Sequence, residues 1–375
     1  MHVDPLETLR GRRSAKWRTY PDDVLPLFVA EMDYPLAPPV AAALHAAVDA
    51  SDTGYSLAQP DLGVALAGFA GRHWGWDFDP GAVTAVADVG VGVVELLRLL
   101  TRPADTVVIS PPVYPPFFDW APEAGTRLLE VPLTGEFRLD LPALEAAFAA
   151  HPAVYVLCNP HNPVGRVHTR EELTALVRLA RLYGVTVVSD EIHAPLVLPG
   201  AEFTPLLSIP GAGEVAVSLL SASKAFNLAG LKCAAIVTGG PALAALVGRL
   251  PPDVRWRTGH LGVLATVAAF KEGDAWLAEL HAELDERRAQ LGRLLSTRLP
   301  GVRWRAPEAT YLAWLDCRAL GRDDEPQELF LAKGRVAVEP GTRFGAAGAG
   351  YVRLNFATSS GILDEATARM AGATG

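Results

Sequence analysis

"SLLSASKAFNLAGLKCAA", residues 218–235, decides how the rest of the chain is read. An apolar, strand-like run stops at small hydroxyl residues, presents one lysine, Lys224, and resumes through Gly and Leu. The run that precedes the lysine (214–221) and the run that follows it (234–239) are apolar on both faces. So are "TVVIS" (106–110), "AVYVLC" (153–158) and "VTVVSD" (185–190). Such runs suit strands covered on both sides in a mostly parallel sheet. Between two of them, "TREELTALVRLARLYG" (169–184) is helical in pattern, with Thr169 as N-cap, Glu172 three residues on and Gly184 as the stop. Strand–helix alternation predicts a doubly wound α/β unit over residues 46–275.

Further on, "DAWLAELHAELDERRAQLGRLLSTRLPG" (274–301) predicts a long amphipathic helix with mixed charge on its wet face. "VRWRAP", "TYLAWLDC", "RVAVEPG" and "YVRLNF" read as short alternating strands, with helical "PQELFLAKG" among them. These make a second, smaller α+β unit over 276–375. Residues 1–45 are Pro-rich, hold Trp17 and "AEMDYPLAPP", and read as an N-terminal arm that also contributes to the small unit. "GTRFGAAGAG" (341–350) reads as a mobile loop near the cleft. It lacks the strand-then-helix setting of a dinucleotide fingerprint.

Bulk properties narrow the function classes. The chain has 375 residues, half of them apolar and a fifth charged, enough for a large buried core. A formal net charge of −9, with basic residues dispersed among acids, disfavours a nucleic-acid surface. Cys158, Cys233 and Cys317 are far apart and odd in number, the pattern of unpaired thiols in a reducing cytoplasm. "MHVDPLETLRGRRSAKW" lacks the apolar run of a signal peptide, and no stretch approaches the roughly 18 apolar residues of a membrane helix. A cytoplasmic protein without membrane partners is expected. The nine histidines show no metal-ligand spacing, and no Walker lysine motif occurs.

In an open parallel sheet, ligands lie outside the carboxyl ends of the strands. Lys224 follows one such strand, Asp190 ends another, and Asn162 lies just beyond a third in "CNPHNPVG" (158–165). Each alone has an ordinary explanation: a solvated lysine, a capping aspartate, a turn. Their convergence on one sheet edge does not.

These motifs resemble a known family. "SASK" followed by "NLAGLK", with "SDEIH", "CNPHNPVG" and the late "YVRLNFA", resemble the fold-type I pyridoxal-phosphate enzymes of the aminotransferase class I/II superfamily. "MDYPLAPPV", "GYS", "PPVYPPF", "SDEIHAPL" and "SASKAFNLAGLKCA" look most like its cystathionine/cysteine β-lyase (carbon–sulfur lyase) branch. The likeness runs from Trp17 to about Ala357. It implies an α/β, aspartate-aminotransferase-like fold: a large domain with a mostly parallel seven-stranded sheet plus a smaller α+β domain.

The resemblance also implies roles. Lys224 would hold pyridoxal 5′-phosphate as a Schiff base and, once freed, act as general base at the substrate Cα, which requires a depressed pKa. Asp190 would pair with the pyridine nitrogen and Asn162 would donate to the ring's 3-oxygen. His193 stands where aminotransferase relatives often have a tyrosine; as an alternative it only fills the cleft wall. Tyr114 is a candidate for stacking on the ring and for a catalytic role. The Gly-rich turn of "ADVGVGVVELLRLL" (87–100) would direct the amides around Gly92, Val93 and Val94 at the phosphate. Ser221, Ser223 and Lys232 would assist, the lysine standing where many relatives carry arginine. Tyr55 would reach the neighbouring subunit's phosphate in a homodimer. Arg353 would clamp the substrate α-carboxylate with a bidentate fork.

The expected reaction is α,β-elimination from L-cystathionine, L-cysteine or a cysteine S-conjugate, giving a thiol, pyruvate and ammonia. Transamination of an L-amino acid and a specialised biosynthetic reaction are the alternatives, because all begin at the same Cα carbanion. A non-catalytic regulator is disfavoured, since no winged-helix segment stands before "MDYPLAPP".

Overall fold

A seven-stranded sheet organises the computed structural model, which describes residues 1, 3–56, 60–320 and 325–375. Its strands are β1 (Val83–Val86), β2 (Thr106–Ile109), β3 (Arg127–Glu130), β4 (Val154–Cys158), β5 (Thr186–Asp190), β6 (Ala216–Leu220) and β7 (Ala234–Thr238). In space they run β1-β7-β6-β5-β4-β2-β3. Neighbours from β6 through β3 are parallel, whereas β7 pairs antiparallel with both β6 and β1.

Every residue of β4, β6 and β7 is buried, as the absence of polar alternation demands. Successive side chains enter opposite layers: Val154, Val156 and Cys158 join one apolar cluster, Tyr155 and Leu157 the other. Helix α1 (Val89–Leu100) covers the first face through Val93, Val94, Leu96 and Leu97. Helix α2 (Arg170–Tyr183) covers the second through Leu173, Leu176, Val177 and Ala180.

The ends of α2 follow its sequence signals. Thr169 accepts from the Glu172 amide at 3.2 Å, and the Glu172 carboxylate accepts from the Thr169 amide at 2.8 Å. Gly184 ends the helix with φ of 69°, a left-handed conformation that glycine adopts without strain. Thr169→Ala is therefore expected to lower stability by about 1 kcal/mol, read as a shift of the urea midpoint with unchanged slope.

The small unit forms around α3 (Asp274–Arg298), whose Trp276, Leu277, Leu280, Leu284, Leu291 and Leu295 make one apolar stripe. The helix stops short of Pro300, as backbone before a proline tends to leave the helical region. Against it lies a four-stranded antiparallel sheet that includes Leu312–Asp316 and Tyr351–Asn355. Leu312–Asp316 does not alternate as expected: its first four residues are all buried, because the strand is central and covered on both faces.

The N-terminal arm enters this same unit. Leu25–Pro26 pairs in parallel with Val336–Ala337, and Trp17, Met32 and Tyr34 share a core with Leu280, Leu312 and Leu354. Helix Pro38–Asp49 continues across position 45 and packs on helix His260–Glu272. The 341–350 stretch lies by the cleft as expected and forms two short 3-10 turns, with Phe344 fully buried against Arg353. A Cβ on Gly348 would sit 2.0 Å from the Gly341 carbonyl, so the glycines permit close packing there.

Candidate active site

Beyond β6 the chain cannot continue as a strand, because it must turn into antiparallel β7. Ser221 knots this turn: its hydroxyl donates to the Cys233 carbonyl at 2.7 Å and accepts from the Ser223 amide at 3.1 Å. Lys224, held by that turn, points into a cavity of about 300 Å³. Asp190, at the end of neighbouring β5, enters the same cavity, with Asn162, His193, Tyr114 and Arg353. The expected convergence at the carboxyl ends of three adjacent parallel strands is therefore what the fold produces.

Burial dominates the electrostatics. It pushes Lys224 down to about 8, Arg353 adds to the effect, and Glu31 and Asp190 oppose it. Asp190 is pushed up to about 7 by burial, against the Ile192 amide and the charge of Lys224. The Ile192 amide donates to Asp190 Oδ1 at 3.1 Å, which fixes the carboxylate. His193 is held neutral: burial lowers it to about 3, with Lys224 and Arg353 adding to that. The Tyr114 phenol is raised by burial and stays protonated.

Arg353 lies on the strand Tyr351–Asn355, with its guanidinium 4.9 Å from the Phe344 ring centroid. Nη1 donates to Asn162 Oδ1 at 3.2 Å and Nη2 to the Phe28 carbonyl at 2.8 Å. Its Nε is buried without a hydrogen-bond partner, as is His193 Nδ1. Lys224 Nζ donates to the Ala30 carbonyl at 3.2 Å. Arm residues Phe28 to Ala30 thus form one wall, which sequence patterns did not indicate because backbone carbonyls carry no residue code.

The anion end needs correction. Helix α1 begins at Val89, with Asp88 as N-cap accepting from the Val91 amide at 2.8 Å. The Gly92 amide is already committed to the Asp88 carbonyl at 3.0 Å, and Val93 and Val94 lie in the buried body of the helix. A Cβ on Gly92 would meet Leu219 at 2.5 Å, so this glycine serves helix–sheet packing. The first amides of α1, at Val89 and Gly90, are the ones beside the cavity. Lys232 and Ser223 flank them, and Lys232 Nζ lies 3.0 Å from Asp88 Oδ2. Ser221 faces away, its hydroxyl hydrogen taken by Cys233. Tyr55, expected at a neighbouring subunit's site and not at this one, is 83% exposed and edge-on to Trp256 at 5.5 Å. Asp88 and Trp120 were not expected from sequence; an Asp before a Gly-rich helix start is the usable signal for the first.

These residues fit a flat, anionic, pyridine-containing cofactor. A buried carboxylate would suit a protonated ring nitrogen, a lysine of depressed pKa an aldehyde, and helix amides with Lys232 a phosphate. The unpartnered Arg353 Nε and His193 Nδ1 leave polar capacity for a ligand.

Comparison with known proteins agrees with this chemistry. The family "Aminotransferase class I and II" matches residues 22–370. A Mycobacterium leprae protein provisionally assigned as a cystathionine beta-lyase is 50% identical, over 97% of this chain and 96% of its own length. "Cystathionine beta-lyase PatB" of Bacillus subtilis is 35% identical over 99% of both chains. Among solved structures, cystalysin of Treponema denticola, which contains pyridoxal 5′-phosphate, is 27% identical with a TM-score of 0.91 over 96% of this chain and 95% of that one. The expected aminotransferase-like α/β fold is the fold observed.

Proposed function

The chain belongs to the aminotransferase class I and II family, and from that premise we propose that it is a pyridoxal-phosphate-dependent carbon–sulfur β-lyase. Its substrate is L-cystathionine, L-cysteine or a cysteine S-conjugate, and its products are a thiol, pyruvate and ammonia. The observation that carries this is the entry of Lys224 and Asp190 into one cavity from the ends of adjacent strands. Relatives named cystathionine beta-lyase in Bacillus subtilis and Corynebacterium glutamicum, 35% and 33% identical over 99% of this chain, direct the choice of reaction.

When bound, the cofactor supplies a protonated pyridine ring that withdraws electrons from the substrate Cα. The protein's residues do the rest. Asp190 keeps a proton on the ring nitrogen. Arg353, steadied by Asn162 and the Phe28 carbonyl, binds the α-carboxylate and so orients the Cα–H bond. Lys224 Nζ, with its pKa near 8, is neutral often enough to take the Cα proton. Neutral His193 and protonated Tyr114 line the cavity without adding charge. Valine and glycine amides at 89–90, with Ser223 and Lys232, hold the phosphate.

The larger domain is taken as 46–275 and the smaller as 276–375 with the 1–45 arm. We place the working unit as a homodimer, with Tyr55 reaching the neighbouring subunit's phosphate. Supporting this, exposed Tyr55 and Trp256 lie beside an apolar hollow of about 940 Å³. Among the described residues no helix is long and apolar enough to cross a membrane. A cytoplasmic setting accords with the unpaired, buried cysteines.

Incubation with L-cystathionine should yield pyruvate and free thiol in equal amounts with no 2-oxo acid supplied. Product that forms only when an acceptor is added would make the protein an aminotransferase instead.

A further inference from the structure

The segment Phe28–Asp33 belongs to no helix or strand, yet each of its carbonyls accepts a hydrogen bond from a side chain. Buried backbone outside regular structure must find such partners. Asn355 Nδ2 donates to the Val29 and Glu31 carbonyls at 2.8 and 2.7 Å. Asn227 Nδ2 donates to the Met32 carbonyl at 3.0 Å, and Arg12 Nη2 to that of Asp33 at 3.2 Å. The remaining two carbonyls face the cations of the site. That of Phe28 accepts from Arg353, and that of Ala30 accepts from Lys224 and, at 3.0 Å, from the Tyr311 hydroxyl.

One end of the segment is fixed by a buried ion pair. Lys16 Nζ lies 2.8 Å from Asp33 Oδ2, and each side chain is 1% exposed. Lys16 also donates to the Glu31 carbonyl at 3.1 Å, and Trp17 Nε1 to Asp33 Oδ1 at 3.1 Å. Burying two charges costs desolvation that apolar packing would avoid, so the pair earns no easy explanation as a source of stability. What it does supply is a single register for the backbone between them and the cavity.

That register matters because Lys224 and Arg353 are two buried cations lining one cavity, and Arg353 disfavours the charge on Lys224. Carbonyl dipoles aimed at both partly offset this repulsion and hold both side chains in one rotamer. We propose that the buried Lys16–Asp33 ion pair is a positioning device for the active site. It locks segment 28–33 as a wall whose Phe28 and Ala30 carbonyls place the Arg353 guanidinium and the Lys224 ε-amine. This rests on the roles given above to Lys224 and Arg353.

The test uses purified protein with the cofactor removed, so its readout does not depend on turnover. Lys224 is labelled with an amine-acylating reagent across a pH series and quantified by peptide mass spectrometry. Asp33→Asn retains size and an acceptor for Trp17 but removes the charge. Lys16→Met/Asp33→Leu replaces the pair by apolar volume and keeps the fold if Asp33→Asn does not. In wild type the labelling midpoint is expected near about 8. In the variants the segment loosens and water enters. The midpoint then moves up toward the ordinary lysine range, and labelling becomes about tenfold faster once corrected for ionisation.

With cofactor restored, KM for L-cystathionine should rise about tenfold as Arg353 loses its fixed placement. A folded variant that labels as wild type does, with unchanged KM, overturns the proposal. If added pyridoxal 5′-phosphate leaves wild-type Lys224 labelling unchanged, the role of Lys224 itself fails. The comparison among variants still decides whether the ion pair governs the segment.

Discussion

Lys224→Ala is expected to lose β-elimination by on the order of ten-thousand-fold, the scale of removing a positioned general base. Two described neighbours in the cavity cannot substitute: His193 is held neutral near 3 by burial, far too weakly basic for this proton transfer, and Tyr114 keeps its proton. In wild type the neutral amine is the competent form, so the rate should climb with pH as the freed amine loses its proton and then level. The variant should lack that limb of the profile and the visible absorption of a covalently held cofactor. Stability gives an independent reading. A lysine with a folded pKa below its unfolded one destabilises the fold at pH below about 8, and the cost fades as pH rises toward the ordinary lysine value of 10.5. Cofactor-free Lys224→Ala should therefore melt above wild type at neutral pH and converge with it in alkali. A variant that keeps wild-type turnover would remove Lys224 from the chemistry.

Asp190→Ala is the second large effect. Its carboxylate enters the cavity from the end of β5, where it would keep the ring nitrogen protonated. A loss of about a hundred- to a thousand-fold in kcat is expected, the scale of removing one preorganised electrostatic partner from a buried site. Cofactor retention should change much less, because Lys224, Lys232 and the amides at 89–90 still hold its other end. Exchange of the substrate Cα hydrogen with deuterated solvent, followed by NMR, isolates the affected step. Equal loss of exchange and of bound cofactor would make Asp190 an anchor only.

The parts of this site legible in sequence share a cause. Strands β4, β5 and β6 are covered on both faces, so their apolar runs end abruptly, and Asn162, Asp190 and Lys224 stand just where the runs stop. Arg353 was legible only through the likeness of "YVRLNFA" to the family's late motif; its burial within a central strand is what the structure adds. The anion turn was displaced by about a turn of helix. "GVG" invites its own glycines as the loop, whereas Asp88 starts the helix earlier and Gly92 is spent on packing against Leu219. Ser221 looked like a ligand for the same anion, but a hydroxyl at a sharp turn bonds locally first. The glycines of 341–350 suggested motion where they permit contact, as between Gly341 and Gly348. The arm wall was hidden for a different reason. Its ligating groups are main-chain oxygens, and their aim depends on residues hundreds of positions away.

That distance has a consequence for biogenesis. Arg353 reaches Phe28 across 325 positions, and Asn355 reaches Val29 across 326. While the ribosome is still at work, the nascent chain can assemble all seven strands around Lys224 and Asp190. The Phe28 and Val29 carbonyls must nonetheless wait for Arg353 and Asn355 to emerge. Such long-range closure is slow and leaves apolar side chains such as Trp17, Met32 and Tyr34 exposed to wrong partners meanwhile. Early termination before Tyr351 would release a polypeptide with its catalytic amine in place and its mouth unfinished.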